Sequence, residues 1–275
     1  GESIGEIALL TGEPRTASVV AVRDSDLVRV SQRAFEEIVE KYPRVMQTIA
    51  RIVVQRLRAK EGLGVSSRTG KCIAVLTAGT GNRSEHFTER LVKALGKLGP
   101  TLHLSALRLD ALLNRPGIAA VDEEDAAGIR LTAWLDEQES HHNFLIYETD
   151  ETDSPWARRC LRQADEILLV ADAGSDPALS LMEQSLLGAK DSVSKARQTL
   201  VMLHADGSRL PTGTARWFSG RNIQRNFHVR LDTEDDFGRV ARCLGDAAIG
   251  LVLGGGGARG LAHIGVVRAL REAGV

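Results

Sequence analysis

Cysteine is scarce in this 275-residue chain: Cys72, Cys160 and Cys243 stand far apart, each beside apolar neighbours. An odd, scattered set excludes a disulfide framework, and its spacing offers no zinc site. Buried, reduced thiols in a cytosolic protein are the expectation. A charge bias is also missing, since Lys plus Arg (35) nearly cancels Asp plus Glu (36). That balance argues against nucleic acid as the main partner, and against binding an anionic membrane by charge alone. No apolar run approaches the ~18 residues a spanning helix needs. Nothing at the start reads as a signal peptide. The chain opens on Gly1 and closes on Val275 as a helix ends, so both ends are expected to be cuts in a longer protein. What is present is a hydrophobic share of 43%, ample for packed cores, and length for about two domains.

The pattern divides the chain into residues 1–62, a linker at 63–70, residues 71–247 and residues 248–275. In the first unit, strands are expected at Ser18–Val22 and Asp26–Val30. Ser31 suits the N-cap of a short helix through Glu40, and Pro43 the first turn of a second helix to about Lys60. The linker is rich in Gly and Ser. From Lys71 short apolar strands alternate with helices. The strand candidates are Cys72–Leu76, Leu102–Ser105, Asn143–Tyr147, Glu166–Ala171, Thr199–His204 and Phe227–Leu231. Helical patterns lie between most of them, including Ser84–Leu98 and Asp122–Glu137, and a further helix spans Asp232–Ala247. This alternation implies βαβ units and a parallel sheet with both faces covered. The last unit reads as a strand (Ile249–Leu253), a glycine loop and a helix (Ala258–Ala273).

The glycine loop, Gly254-Gly-Gly-Gly257-Ala-Arg259-Gly260, is the most informative segment. Four consecutive glycines are costly in conformational entropy, so something there needs backbone without side chains. Their N–H groups can approach a ligand closely, and the helix that follows adds its positive end. Such a loop suits an anion, either a standing phosphate or an oxyanion that develops during a reaction. Gly255, Gly257 and Gly260 satisfy G-x-G-x-x-G, the dinucleotide fingerprint, whose acidic partner would fall about 20 residues on, outside the chain. Arg259 is an odd choice where a Rossmann turn packs a small residue.

The same segment, Leu253 through Gly260, resembles the D-G-G-G-x-R-G block of patatin-like phospholipases. The match falls on Gly255, Gly256, Gly257, Arg259 and Gly260, with Gly254 in place of the aspartate. The continuation Leu261 to Leu270 resembles the neuropathy-target-esterase branch of that family. The resemblance implies that these glycines supply oxyanion-hole N–H groups and that Arg259 helps hold the loop and its anion. It also implies a G-x-S-x-G serine assisted by an aspartate, both expected beyond Val275. His263 is expected to be structural, because the family's dyad needs no histidine.

At the other end, Gly5-Glu6-Ile7-Ala8 through Pro14-Arg15-Thr16-Ala17-Ser18 resembles the phosphate-binding cassette of cyclic-nucleotide-binding domains. Glu6 can accept from a ribose hydroxyl, and the N–H groups of the Ile7–Leu9 turn can face the cyclic phosphate. Arg15 can neutralise that phosphate through paired hydrogen bonds, and Thr16 offers a further donor. Residues 71–247 resemble the connecting domain of the same esterases. Thr77-Ala-Gly-Thr-Gly-Asn82 is similar to a P-loop, but the lysine and Ser/Thr that would hold phosphates and Mg²⁺ are absent. A degenerate nucleotide fold without ATPase activity is expected. Three local patterns fail on context. Asp236-Phe-Gly238 lies in a helical pattern, His141 and His142 are adjacent and cannot share a helix face as metal ligands, and Glu148–Asp153 reads as a solvated loop.

The expected architecture is thus multidomain, α+β and α/β: the rear of a cyclic-nucleotide-binding β-barrel with C-terminal helices, a Rossmann-like connector, and the first β-loop-α of a patatin-like α/β hydrolase. By resemblance the whole protein would cleave carboxylic esters of phospholipids or lysophospholipids, from the cytoplasm and peripherally at the membrane. No cofactor or metal is required, and a cyclic nucleotide would serve as a regulatory ligand. The rival class is a non-enzymatic cyclic-nucleotide sensor whose hydrolase domain has decayed.

Overall fold

A computed structural model of the chain describes every residue except 1–3, 6–7, 9–11, 16–17, 24, 26, 61–69, 80–83, 189–191, 206–210 and 274–275. Two helices, α1 (Gln32–Lys41) and α2 (Arg44–Lys60), precede an α/β unit. That unit runs β1 (Lys71–Thr77), α3 (Ser84–Gly96), β2 (Thr101–Leu104), α4 (Ala106–Leu112), α5 (Ala126–His141) and β3 (Phe144–Glu148). It continues with α6 (Pro155–Gln163), β4 (Glu166–Asp172), α7 (Leu181–Leu187), β5 (Arg197–His204), β6 (Ile223–Arg230) and α8 (Glu234–Leu244). The strands form one six-stranded sheet in the order β2-β3-β1-β4-β5-β6, and every neighbouring pair is parallel.

A parallel sheet carries helices on both faces, so its inner strands must be apolar on both sides. In β1, Cys72, Ala74 and Leu76 point to one face, while Ile73 and Val75 point to the other. The second face is covered by α3 and α8 through Phe87, Leu91, Leu95, Phe237, Val240 and Leu244. The first is covered by α4 to α7 through Leu109, Leu135, Trp156, Leu161 and Leu186. Each such side chain removed from water is worth roughly 1.5–3 kcal/mol, which makes these two layers the main source of stability.

Helix starts follow local chemistry. Ser31, Ser105 and Ser154 each accept a hydrogen bond from the N–H three residues on, and Pro155 takes the position where its missing N–H costs nothing. Ser180 and Glu183 form a reciprocal capping box. In the first turn of α5 a Cβ on Gly128 would collide with the Asp122 carbonyl, so only glycine lets the helix start this close to the preceding loop.

All six strands expected in residues 71–247 are present, with ends shifted by at most four residues. Three short helices, α4, α6 and α7, add to those delimited from the sequence. The strands expected at Ser18–Val22 and Asp26–Val30 differ: their described residues are not assigned to any sheet. Ile249–Leu253 likewise has no ladder partner among the described residues and stands exposed. Apolar alternation favours a strand, but a strand exists only through the neighbour it bonds. The expected final helix opens as a 3₁₀ turn, Gly257–Leu261, before α9 (Ala262–Glu272). Among the described residues no helix is long and apolar enough to cross a membrane.

One contact ties the first segment to the α/β unit. The Arg23 guanidinium forks onto both carboxylate oxygens of Glu139, each at 2.9 Å, and donates to the Gln163 carbonyl at 3.3 Å. Asp165 lies 3.6 Å away, and Glu139 also accepts from the buried Cys72 thiol. Burial pushes the Cys72 thiol well above its ordinary range, with the Glu139 charge adding to the effect, so it stays protonated.

Candidate functional site

The exposed glycine loop follows α8 by way of Asp246, a left-handed residue at φ 53°. Gly257 adopts φ 54°, so a side chain there would be strained. Gly256 has φ −175° and ψ 12°, outside the left-handed region, and a Cβ on it would make ordinary contacts with Gly260 and Arg259. A Cβ on Gly254 or Gly255 would meet open space. The loop closes on itself through the Arg259 N–H donating to the Gly256 carbonyl at 3.1 Å. Among the described residues, the N–H groups of Gly255, Gly256 and Gly257 have no acceptor. The arrangement is chemically simple: three backbone donors at the entry to a helix, unencumbered by side chains.

The Arg259 guanidinium has no hydrogen-bond or ion-pair partner among the described residues. The side chain that does grip the loop is His263, whose Nε2 lies 2.8 Å from the Gly254 carbonyl. Its position on a helix face conceals this role in the sequence. Only the turn of the loop brings a carbonyl nine residues away back to it.

The carboxyl end of the parallel sheet is where α/β folds bind ligands, and the P-loop-like segment lies after β1. Gly79, at φ 72°, donates its N–H to Glu183 Oε2 at 3.3 Å, while residues 80–82 lie outside the described residues. Glu183 is 2% exposed and is held by Arg221 at 2.6 and 2.9 Å. Arg221 also donates to the carbonyls of Pro177, Ala178 and Trp217 and lies over the Trp217 ring. A side-chain carboxylate thus takes the donor that a phosphate would need. Nearby, His204 and His228 share a hydrogen bond of 2.8 Å, and Thr214 reaches His228 at 3.3 Å. Burial holds both imidazoles below their ordinary pKa, and the charges of Asp172 and Asp236 only partly oppose this at His204.

In the front cassette, Gly5 adopts φ 82°, and a Cβ there would collide with the Arg15 guanidinium. The two are therefore brought together, while Gly12 N–H closes a turn onto Ala8 at 3.1 Å. Arg15 is exposed. Glu6, Ile7 and Thr16 lie outside the described residues, as does most of the linker. Asp236, of the kinase-like tripeptide, sits in α8 and pairs with Arg230 at 2.8 Å. His141 and His142 bond back to the Glu137 and Gln138 carbonyls. Among the described residues no group of His, Cys, Asp or Glu is arranged to hold a metal. The spelling G-x-S-x-G does occur once in the chain, at Gly1-Glu2-Ser3-Ile4-Gly5. It runs straight into the cassette segment, and Gly1, Glu2 and Ser3 lie outside the described residues.

The parallel sheet and its two helical layers define an α/β protein, with a glycine loop and a short helix following its last helix. Residues 69–242 match the Neuropathy Target Esterase family P-loop like domain, and residues 1–42 match the Cyclic nucleotide-binding domain. The first match spans well over half of the chain, which therefore belongs to the neuropathy target esterase family. Human Patatin-like phospholipase domain-containing protein 6 is 34% identical across the whole chain, which covers 23% of that protein. Rat Patatin-like phospholipase domain-containing protein 7 is 32% identical, again with 23% covered. Lysophospholipase nte1 of Neosartorya fischeri is 29% identical, with 22% covered. The chain thus spans less than a quarter of these relatives' length. A ParA family ATPase from Chlorobium tepidum aligns with 65% of the chain and 90% of its own at TM-score 0.41 and 16% identity, too distant a likeness to carry a conclusion.

Proposed function

We propose that this chain is the portion of a serine esterase that joins a cyclic-nucleotide-binding-like module to the oxyanion loop of a patatin-like domain. Its substrates would be carboxylic esters of phospholipids or lysophospholipids, met from the cytoplasm at a membrane surface. In the reaction a serine outside this chain attacks the ester carbonyl, and the carbonyl oxygen becomes an anion as the bond forms. Gly255, Gly256 and Gly257 present N–H groups to that oxygen, and Arg259, its guanidinium unpaired among the described residues, adds positive charge close by. No metal or cofactor is needed for this chemistry. Residues 1–30, completed into a β-barrel, would bind a cyclic nucleotide through Gly5, Glu6, Ile7, Ala8, Arg15 and Thr16 as a regulatory ligand.

The observation that carries this reading is the set of three unengaged backbone donors at the start of a helix, in a chain whose relatives are named phospholipases and a lysophospholipase. The connecting unit supports it from the other side, because the Gly79 N–H is already occupied by Glu183, which disfavours an ATPase. The test is labelling with a fluorophosphonate probe and hydrolysis of a p-nitrophenyl ester. The full-length protein should react at a single serine, and the 275-residue chain alone should neither label nor hydrolyse. Labelling at any serine of this chain, Ser3 included, would overturn the placement of the active site. A full-length protein that binds a cyclic nucleotide but never labels would instead be the non-catalytic sensor.

A further inference from the structure

Resting on the hydrolase reading above, we propose that His263 is a positioning residue that aims the Gly255 N–H into the oxyanion hole by gripping the carbonyl of the same peptide. His263 Nε2 lies 2.8 Å from the Gly254 oxygen. A carbonyl oxygen can only accept, so Nε2 carries the hydrogen and donates. None of the described peptide bonds is cis. In a trans peptide the C=O and N–H groups are fixed on opposite sides of the C–N bond. Once the Gly254 oxygen faces the imidazole on α9, the Gly255 N–H is held pointing away from it, and there it has no acceptor among the described residues.

The grip is needed because nothing else holds that peptide. Glycine stands on both sides of it, and neither position is near a packing partner within reach of a Cβ. Two glycines leave the plane free to turn over, which would point the carbonyl, a repulsive group, at the developing anion. Preorganised donors accelerate a reaction only when they need not be reoriented during it. Arg259 does not supply the hold, since its guanidinium contacts no acceptor among the described residues. The role also differs from that of a general base. Nε2–H is present in the imidazolium and in the Nε2-protonated neutral ring alike, so the grip does not depend on the charge of the imidazole.

The test is steady-state kinetics of the full-length protein on a p-nitrophenyl ester, comparing wild type, His263→Phe and His263→Gln. A whole oxyanion donor is worth on the order of 10²–10³ in rate, so misaiming one should lower kcat about tenfold in His263→Phe, with KM little changed. His263→Gln keeps an N–H donor at similar reach and should recover most of the loss. The ratio of wild-type to His263→Phe turnover should be the same at pH 6 and pH 8. A folded His263→Phe enzyme with unchanged kcat, beside a Gly256→Ala enzyme that has lost turnover, would remove His263 and leave the hydrolase reading standing. A ratio that follows a histidine titration would make His263 a proton carrier and overturn the positioning role. Wild-type protein that neither labels nor turns over would remove both readings together. If His263→Phe fails to melt cooperatively, ¹⁵N NMR of the wild-type imidazole decides, and a proton on Nδ1 alone would refute the grip.

Discussion

Replacing Arg221 with alanine strips the counter-charge from a carboxylate that water cannot reach. Glu183 and Arg221 are 1% and 2% exposed in their side chains, and the fork between them measures 2.6 and 2.9 Å. Removing one partner of such a buried pair costs about 3–5 kcal/mol, because the other is left charged in a low dielectric. Two features of the site pull in opposite directions. Glu183 keeps the Ser180 N–H at 2.9 Å and the Gly79 N–H at 3.3 Å, which softens the loss. The carbonyls of Pro177, Ala178 and Trp217 lose their donor at the same time, which deepens it. A loss of about 4 kcal/mol with a urea slope of about 2 kcal/mol per molar lowers the unfolding midpoint by about 2 M. The assay is urea unfolding followed by tryptophan fluorescence, since Trp217 and the buried Trp156 both report on this layer. Arg221→Lys should be intermediate, because an ammonium cannot fork. The double variant Glu183→Gln/Arg221→Met should lose much less than Arg221→Ala, because no unpaired charge remains. An Arg221→Ala midpoint within about 0.3 M of wild type would refute the reasoning.

The Arg23 contact should couple the first segment to the α/β unit. A double-mutant cycle of Arg23→Ala with Glu139→Gln should return about 1.5–3 kcal/mol, the range for hydrogen bonds to charged groups, and a value near zero would deny the docking. The His204–His228 pair makes folding sensitive to acid. Both folded pKa values lie below the ordinary 6.5, so below that pH the unfolded chain binds more protons than the folded one. Stability from this pair is therefore complete above pH 6.5 and declines as the pH falls through it. Melting curves of wild type and His204→Gln/His228→Gln between pH 8 and 5 should converge towards the acid end, and parallel curves would contradict the pairing. In the full-length protein, Arg15→Ala should weaken cyclic-nucleotide binding by about 2–5 kcal/mol, the cost of breaking a charge pair at a binding site. Calorimetry that shows no heat with either common cyclic nucleotide in the wild type would leave the front module structural.

The sheet was legible because its signal is local. Near-continuous apolar runs such as Cys72–Leu76 and Glu166–Ala171 can hardly be anything but strands buried on both faces, and their spacing leaves room for crossover helices. Short helices were harder, since α4, α6 and α7 are only seven to nine residues long, shorter than the stretch over which a helical repeat stands out in a sequence. Their caps were nevertheless visible, as Ser154-Pro155 and the Ser180–Glu183 box demonstrate. The apolar stretches Ser18–Val22 and Ile249–Leu253 show the converse, because a strand pattern does not supply its own partner. For the site, composition pointed to the glycine loop directly. The pairs Arg221–Glu183 and Arg23–Glu139 and the His263 grip were not readable, because each depends on chain segments that only the tertiary fold brings together. The resemblance points to Arg259 as the residue that helps hold the loop, whereas the side-chain contact seen on the loop among the described residues is that of His263 with the Gly254 carbonyl.

The central claim is that the glycine run serves an oxyanion, and Gly256→Ala in the full-length protein tests it most directly. Gly256 lies outside the left-handed region (φ −175°, ψ 12°) and an alanine Cβ there makes only ordinary contacts, so the variant should fold, and a melting curve run beside the kinetics checks this. Gly257→Ala is the control for strain, because at φ 54° alanine costs more than about 0.4–1 kcal/mol in stability as well as activity. The Gly256 methyl would crowd the space the carbonyl oxygen must occupy. Turnover of a p-nitrophenyl ester should fall on the order of 10²-fold, mainly in kcat, because the donors matter most once charge has developed. A fully folded Gly256→Ala enzyme with wild-type kcat would contradict the oxyanion role, and binding of NAD that the same substitution abolishes would assign the loop to a dinucleotide.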